Sequence, residues 1–478
     1  MGELLLDLLD AAARHADYAD ARHVVTRRER LGTRNGTLDE LHSDESEGVG
    51  IRVRVGGAWG FVGVGGSDPA ECHASLARAL AVARVQPAAL GGPLAPEPPA
   101  RGSWRSPAGR DPFTVPLDEK LAVLFAADAA LRAGEDITLA LARFEARVIH
   151  TTFASTEGAF CDQHVTECGG GISAVAVSGD DSQTRSYPAS HDGQVVQAGY
   201  ENFAGLGLAE RAPALAAEAS ALLRAPACPA GRSTLILAGE QLGLQIHESI
   251  GHAVELDRVL GREISYAGGS FVAPDDAGSL RFGSELVNVT ADATTPGGLG
   301  SFRWDDEGVE GRPVPIIRDG LLTGFLSSRE TAAEIGLERS GGCARADGFA
   351  RQPIVRMTNM NLEPGEAGSL DDMIADTDEG LLIETNRSWS IDDRRLHFQF
   401  AGEAAWEIRG GERGRLLRNP SYSGITPEFW RGCDAVCSDP AWGIVSVLEC
   451  GKGEPGQFVR VSHGSAPARF RDVKVGVA

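Results

Sequence analysis

Lysine is nearly absent from this sequence, which has 478 residues but only three lysines, Lys120, Lys452 and Lys474. Arginine supplies the other basic side chains. The 45 basic residues are outnumbered by 67 acidic ones, so the formal net charge is −22. A chain with this charge repels phosphate groups. The composition therefore argues against nucleic acid or an anionic membrane as the main partner.

Long hydrophobic runs are also missing. No stretch reaches the ~18 uninterrupted apolar residues that a membrane-spanning helix needs. Residues 1–13 lack the basic start of a signal peptide, and Asp7 and Asp10 interrupt their leucines, which is typical of an amphipathic helix. We therefore expect a cytoplasmic protein with no membrane segment. Its eight cysteines are then reduced thiols or metal ligands rather than disulfides.

The pattern along the chain predicts an α+β fold in two domains, since about 100–200 residues make one domain. Residues 1–228 mix helical and strand-like segments, which predicts an α/β N-terminal domain. Proline, cysteine and glycine between residues 226 and 232 indicate a boundary. Residues 229–478 contain a predicted helix at 239–260, followed by short apolar runs cut by Gly, Pro and Asp. This second domain is predicted to be mainly β, barrel- or sandwich-like, and to carry the metal-motif helix.

That predicted helix contains the strongest chemical signal, the segment Gln-Ile-His-Glu-Ser-Ile-Gly-His at residues 245–252. It is similar to the zinc motif His-Glu-x-x-His, with one extra residue between the histidines. In that motif two neutral imidazoles bind Zn²⁺, and the metal lowers the pKa of a water molecule. The carboxylate beside the first histidine takes the proton. We therefore predict that His247 and His252 are metal ligands and that Glu248 is the general base.

The extra residue creates a geometric problem. On a regular helix, side chains five positions apart lie about 140° apart around the axis, against about 40° for four positions. His247 and His252 converge only if the helix is widened, as in a π turn, or ends between them. Gly251 is the residue at which a deformation is easiest. We predict a distorted turn at residues 250–252, and the alternative is two unrelated histidines on one helix.

Two imidazoles are too few for a tight zinc site, so a third ligand is required. The residues alone leave this ligand open, with four candidates: Glu255, His397, Cys450 and His463. Two further cysteines, Cys433 and Cys437, are four residues apart and would share a face of a helix. For that pair we favour ordinary buried thiols.

The acidic run Asp305-Asp306-Glu307 offers ligands for a cation or for a substrate amine. Such a run is more often a solvated turn, which is the interpretation that we favour. The segment at residues 392–395, Asp-Asp-Arg-Arg, reads equally well as a surface loop.

Several separate stretches together resemble the TldD subunit of the TldD/TldE (PmbA) zinc metallopeptidase family. The metal segment at residues 247–257 and the Cys-Gly-Lys at 450–452 are specific, and the remaining stretches are individually weak. In chain order those weaker stretches are residues 48–52, 59–61, 155–158, 305–308 and 356–359. The resemblance extends over nearly the whole chain.

The resemblance implies a zinc ligand set and an activity. The cysteine of Cys-Gly-Lys is the third ligand in the family, which is Cys450 here, with one Zn²⁺ per chain and Glu248 as the base. The implied activity is endopeptidase cleavage of unfolded or extended peptides with low sequence preference, in degradation and in the maturation of modified peptides. As supporting or substrate-binding residues we also predict Glu255, Asp305, Asp306, Glu307, Arg356 and Asn359.

The resemblance also implies a partner, a TldE (PmbA)-like paralogue that lacks the metal motif, in a heterodimer, with a homodimer as the other arrangement. Two alternative functions remain open. The first alternative to a peptidase is a non-catalytic peptide-binding subunit. The second is a structural zinc protein in which Glu248 has no role.

Overall fold

The computed structural model describes residues 1–86, 92–191, 193–266 and 268–476, and it has a mixed α+β fold, which confirms the predicted class. The N-terminal part is built on an eight-stranded sheet with the strand order β3-β2-β1-β5-β6-β4, and β7 and β8 also pair with β6. The strands are β1 (Tyr18–Arg34), β2 (Thr37–Val55), β3 (Ala58–Gly65), β4 (Arg101–Arg105), β5 (Ile137–Ser155), β6 (Phe160–Ser178), β7 (Asp181–Tyr187) and β8 (Gln194–Val196).

One face of this sheet is covered by helices, and we call it the outer face. Helices α1 (Gly2–Ala12) and α2 (Pro69–Val85) pack on the end formed by β1–β3. Helices α3 (Leu117–Arg132), α4 (Tyr200–Gly205) and α5 (Leu208–Arg224) pack on the end formed by β5 and β6. The start of α2 follows from its sequence, because the Asp68 carboxylate accepts a hydrogen bond from the Glu71 N–H and Pro69 occupies the first turn.

The C-terminal part is centred on a nine-stranded sheet with the order β17-β18-β21-β25-β9-β16-β19-β20, in which β22 also pairs with β25. Its strands are β9 (Gly231–Leu237), β16 (Glu379–Ile383), β17 (Asn386–Ile391), β18 (His397–Gly402), β19 (Ala404–Arg409), β20 (Glu412–Arg418), β21 (Ser421–Ile425), β22 (Cys433–Val436) and β25 (Ala468–Val475). The sheets of the described chain are open, so the barrel-like alternative for this part was wrong.

Smaller sheets and short helices surround the large sheet. The smaller sheets contain β10 (Val289–Asp292), β11 (Pro313–Arg318), β12 (Leu321–Leu322), β13 (Ala344–Arg345), β14 (Ile354–Val355), β15 (Met360–Leu362), β23 (Gly443–Lys452) and β24 (Gln457–Ser465). The helices are α6 (Gly239–Ile246), α7 (Leu256–Val259), α8 (Arg329–Glu334), α9 (Leu370–Ala375) and α10 (Thr426–Arg431). Helix α6 follows β9 directly and packs against β15, β23 and β24. Within the described ranges, no helix combines the length and the hydropathy needed to cross a membrane.

The largest hydrophobic core lies in the C-terminal part and includes a group of aromatic rings. The Phe470 ring, from β25, is fully buried and stacks on Phe429 with a centroid distance of 4.2 Å. It also meets the edge of Trp430 at 5.5 Å. Rings in these offset and edge-to-face arrangements add stability beyond the area that they bury.

We therefore expect Phe470→Ala to lower the free energy of unfolding by about 3–5 kcal/mol, because it leaves a cavity among rings that cannot close in. Urea unfolding followed by tryptophan fluorescence measures this loss, with Trp430 adjacent to the cavity. Leu41→Ala is the control, since Leu41 is 58% exposed and should change stability by no more than about 0.5 kcal/mol. Equal midpoints for the two variants would contradict the assignment of this core.

Candidate metal centre

The helix that carries the two histidines is distorted where the sequence spacing requires it. Regular α6 ends at Ile246, and a π turn occupies His247–Gly251. The His252 N–H donates to the His247 carbonyl, five residues back. The two imidazole rings consequently lie on one side, with centroids 4.7 Å apart. The predicted distorted turn is confirmed, and it starts at His247 rather than at residue 250.

Gly251 is needed for space rather than for backbone freedom. Its φ of −52° is ordinary for any residue. A Cβ at this position, however, would collide with the thioether of Met357. Met357 therefore packs directly against the backbone of the π turn, in the space that a side chain at residue 251 would occupy.

The structure brings His247, His252 and Cys450 together. One ligand atom of each, an imidazole nitrogen or the thiol sulfur, lies within 4.8 Å of the other two. The Cys450 Sγ is 3.6 Å from the His252 Nε2. Cys450 lies on β23, where the register with β24 shifts between Val447 and Cys450. All three side chains are buried.

A chain of hydrogen bonds fixes the tautomer of His247. The Nδ1 of His463 lies 3.3 Å from the Met360 carbonyl, which only accepts, so this nitrogen carries the proton. The Nε2 of His463 is then an acceptor, and the His247 Nδ1–H donates to it over 2.7 Å. The Nε2 of His247 is left with a free lone pair. Burial lowers the pKa of His247 to about 4 and the pKa of His463 well below its usual value, which keeps both rings neutral.

Glu255 fixes the tautomer of His252. The His252 Nδ1 donates to the Glu255 carboxylate over 2.8 Å, which leaves its Nε2 free to face Cys450. Glu255 is therefore the orienting partner of a histidine, in the supporting position that a metal-ligating histidine usually has. Burial raises the pKa of Glu255, but Lys452 and His252 outweigh burial and hold it well below its usual value.

Lys452 connects the Cys450 strand to the histidine segment. Its ammonium group donates to the Asp257 carboxylate over 2.6 Å and to the Val355 carbonyl over 2.7 Å. It also lies 3.4 Å from the second oxygen of Glu255. Lys452 is almost fully buried. A buried lysine is rare unless it is paired, and the two carboxylates supply that pairing here.

The Cys450 thiol differs electrostatically from the other buried thiols. Burial raises its pKa, but the Arg356 guanidinium and His252 outweigh burial, so the pKa of Cys450 lies below its usual value. Arg356 also donates to the Cys450 carbonyl. Burial raises the pKa of Cys433 to about 12 and that of Cys437 to about 11. Cys450 is therefore the cysteine of this group that is suited to serve as a thiolate.

Glu248 follows His247 in the π turn and is paired with an arginine. Its Oε2 accepts a hydrogen bond from the Arg395 Nη1 at 3.0 Å. Arg395 has a left-handed backbone, with φ of 62°, in the turn between β17 and β18. The Asp392 carboxylate stabilises this turn by accepting from the backbone N–H groups of Arg394 and Leu396. Sequence reasoning did not identify Arg395, because four charged residues between strands are typical of any exposed loop.

The three candidate ligands and Glu248 open into a cleft of about 790 Å³ between the two parts of the chain. One wall is formed by residues 445–451 of β23. The opposite wall comes from the inner face of the N-terminal sheet, including Arg28, Glu145 and Arg147. The centre is thus buried in the protein but accessible from the cleft.

The acidic run at residues 305–307 lies elsewhere and is not a solvated turn, contrary to the interpretation favoured above. The Glu307 carboxylate pairs with Arg52, and Asp306 pairs with Arg22, each at 3.0 Å. Asp305 accepts backbone hydrogen bonds from Glu307, Val309 and Ala344. These carboxylates join strands β1 and β2 to the C-terminal part, and they are not among the residues that line the cleft.

The remaining candidate residues are not among those that line the cleft. Asn359 holds the loop near Gly300, accepting from the Gly300 N–H and donating to the Asp292 carbonyl. His397 is exposed on β18. Cys433 lies on strand β22 and Cys437 follows it, so the shared helical face was wrong, whereas the buried-thiol interpretation is confirmed.

Two imidazoles and a thiolate beside a carboxylate, opening into a cleft, are the components of a metallohydrolase centre. Family comparisons agree with this class. The model of the PmbA/TldA metallopeptidase C-terminal domain matches residues 230–477. Those of domain 1 and of the central domain match residues 19–85 and 110–225. The chain belongs to the PmbA/TldD metallopeptidase family.

Individual relatives support this assignment. The metalloprotease MJ0996 of Methanocaldococcus jannaschii is 30% identical over 472 residues, which is 98% of each chain. A zinc metalloprotease TldD homologue of Saccharolobus solfataricus is 31% identical over 248 residues, 52% of this chain and 52% of its own. The crystal structure of TldE from Thermococcus kodakarensis shares the fold, with a TM-score of 0.73 and 14% identity over 99% of this chain and 100% of that chain.

The hydrogen bond from His247 to His463 predicts a measurable effect on metal affinity. We expect His463→Phe to weaken metal binding by about 10- to 100-fold, because His247 loses the acceptor that fixes its tautomer. Competition with a chelator measures this affinity. His463→Gln keeps an acceptor and should lose less, and His397→Phe should lose nothing. If all three variants bind the metal as tightly as the wild type, the contact between His247 and His463 has no orienting role.

Proposed function

We propose that this protein is a zinc-dependent endopeptidase that cleaves unfolded or extended peptides with low sequence preference. The observation that carries the proposal is the convergence of His247, His252 and Cys450 beside Glu248 at the wall of one cleft. The membership of a metallopeptidase family supports it.

The donor set fits zinc. Two neutral imidazoles and one thiolate are ligands that Zn²⁺ prefers, and three protein ligands with a fourth position open are typical of catalytic rather than structural sites. Among the described residues, the group around His247 contains three possible ligands. This argues against the structural zinc alternative, which requires four. When bound, the zinc ion would polarise a peptide carbonyl and lower the pKa of a water molecule.

The protein's own groups would then move the proton. Glu248 takes a proton from the attacking water and later delivers it to the leaving amine. Arg395 holds the Glu248 carboxylate in place through the 3.0 Å hydrogen bond. His463 and Glu255 keep the two ligand imidazoles in the required tautomers.

The cleft wall suits an extended peptide. Strand β23 pairs with β24 and with no other named strand of the described chain, and residues 445–451 border the cleft. A peptide that lies along such an edge is bound through its backbone, which makes recognition largely independent of sequence. Such binding serves the degradation of unfolded chains, and it equally serves the maturation of modified peptides.

A TldE-like paralogue is the partner that we propose for this chain, in a heterodimer, with a homodimer as the other arrangement. The fold shared with a TldE protein supports the pairing. A non-catalytic role in peptide binding is the second candidate function, and the complete set of His247, Glu248 and His252 argues against it.

The role of Glu248 can be separated from metal binding. We expect Glu248→Gln to retain zinc and to lower the rate of cleavage of an unstructured peptide by about 100- to 10,000-fold, because the proton acceptor is removed. Zinc content and peptide cleavage, each measured with and without the paralogue, test this. Glu449→Gln is the control in the same cleft and should remain active. Full activity of Glu248→Gln would refute the assignment.

The third ligand has its own test. Cys450→Ser should reduce the bound zinc to well below one ion per chain, because a hydroxyl is a far poorer zinc ligand than a thiolate. Cys437→Ser changes another buried thiol and should leave the zinc content unchanged. Metal analysis of the purified variants measures both. Unchanged zinc in Cys450→Ser would exclude this cysteine.

A further inference from the structure

Polar residues occupy a gap in the helical cover of the outer face. On β5, the side chains of Ala142, Phe144 and Ala146 are buried under α3 and α5, and Ala154 is buried near α1 and α2. The alternation of a strand puts His150 and Thr152 on the same face, between the two helix groups. This part of the sheet is accessible, since the His150 side chain is 32% exposed.

Three possible ligands meet in this gap. His150 on β5 lies directly opposite His164 on β6, and the two imidazole rings stack with centroids 3.8 Å apart. Asp162, two residues before His164, reaches both rings: its Oδ2 is 2.6 Å from the His150 Nε2 and its Oδ1 is 3.6 Å from the His164 Nε2. One ligand atom of each residue lies within 4.8 Å of the other two.

A hydrogen bond holds the Asp162 carboxylate in place, but some polar atoms of the cluster have no hydrogen-bond partner among the described residues. The Thr152 hydroxyl donates to the Asp162 Oδ2 over 3.0 Å and fixes the carboxylate. No hydrogen bond to either ring nitrogen of His164 is found within the described part of the chain. A neutral imidazole has one nitrogen lone pair that can bind a metal ion.

We propose that His150, Asp162 and His164 form a second metal site, specific for a transition-metal ion such as Zn²⁺, on the outer face of the N-terminal sheet. Ligand atoms around a tetrahedral zinc ion lie roughly 3.3 Å apart, so only small rotations of the side chains are required. Two imidazoles with one carboxylate favour such ions over Mg²⁺ and Ca²⁺. Water completes the coordination, because the site is open to solvent, and binding should be weaker than at the buried centre.

Titration of the metal-free protein with Co²⁺ distinguishes the two sites. The wild type should bind two ions, of which one produces a thiolate-to-cobalt charge-transfer band, because only the site with Cys450 contains sulfur. Cys450→Ser should lose that band and keep the second ion. His164→Ala should bind one ion and keep the band, which also shows that the variant is folded.

Asp162→Asn, which preserves the shape of the side chain, should weaken the second ion at least tenfold. His73→Ala is the matched control, since His73 is an exposed histidine paired with a single carboxylate, Asp7, and it should still bind two ions. A wild type that binds one ion, or a His164→Ala variant that still binds two, would overturn the proposal. Neither result depends on peptide cleavage, so failure of this site and failure of the proposed peptidase function are distinguishable.

Discussion

The arrangement of the candidate centre depends on one constraint, which is that residues five positions apart do not face the same way on a regular α-helix. The π turn at His247–Gly251 removes this conflict and brings both rings to the cleft side. The turn is buried, and Met357 packs against it where Gly251 has no side chain. The segments around the turn therefore pack against a distorted backbone. Lys452, on the strand that carries Cys450, is joined to the histidine segment by its hydrogen bond to Asp257.

The electrostatics of the centre favour the forms of the ligands that bind a metal. Metal ligands must be deprotonated, and burial alone keeps an imidazole neutral but opposes a thiolate. The protein compensates for this at Cys450 by placing Arg356 and His252 next to the thiol. The same buried region contains the ion pairs of Lys452 with Asp257 and Glu255, so the charges near the centre are paired rather than isolated.

Part of this centre was predictable from the sequence. The spacing of His247 and His252 predicted a distorted turn, because helix geometry is local and leaves few alternatives. The third ligand was not derivable in this way: four candidates remained, and Cys450 was singled out only by a family resemblance. His463 and Arg395 come to the site from separate strands and turns, and nothing in their neighbours along the chain indicates this. The α+β class was predictable from the pattern, whereas the open form of the sheets and the buried junction at residues 305–307 depend on long-range packing. The division of the chain at residue 228 stays a prediction.

The long separation in sequence between His252 and Cys450 has a consequence for the order in which the metal centre is assembled. Cys450 follows His252 by 198 residues along the chain. At synthesis rates of about 5–20 residues per second, the thiol is made about 10–40 s after the second imidazole. During that time a growing chain has two donors and an incomplete cleft wall, because β23 has not yet been made. Until residue 450 has been made, a growing chain therefore lacks the thiol donor, and the cleft wall formed by β23 and the third candidate ligand arise together, late in synthesis.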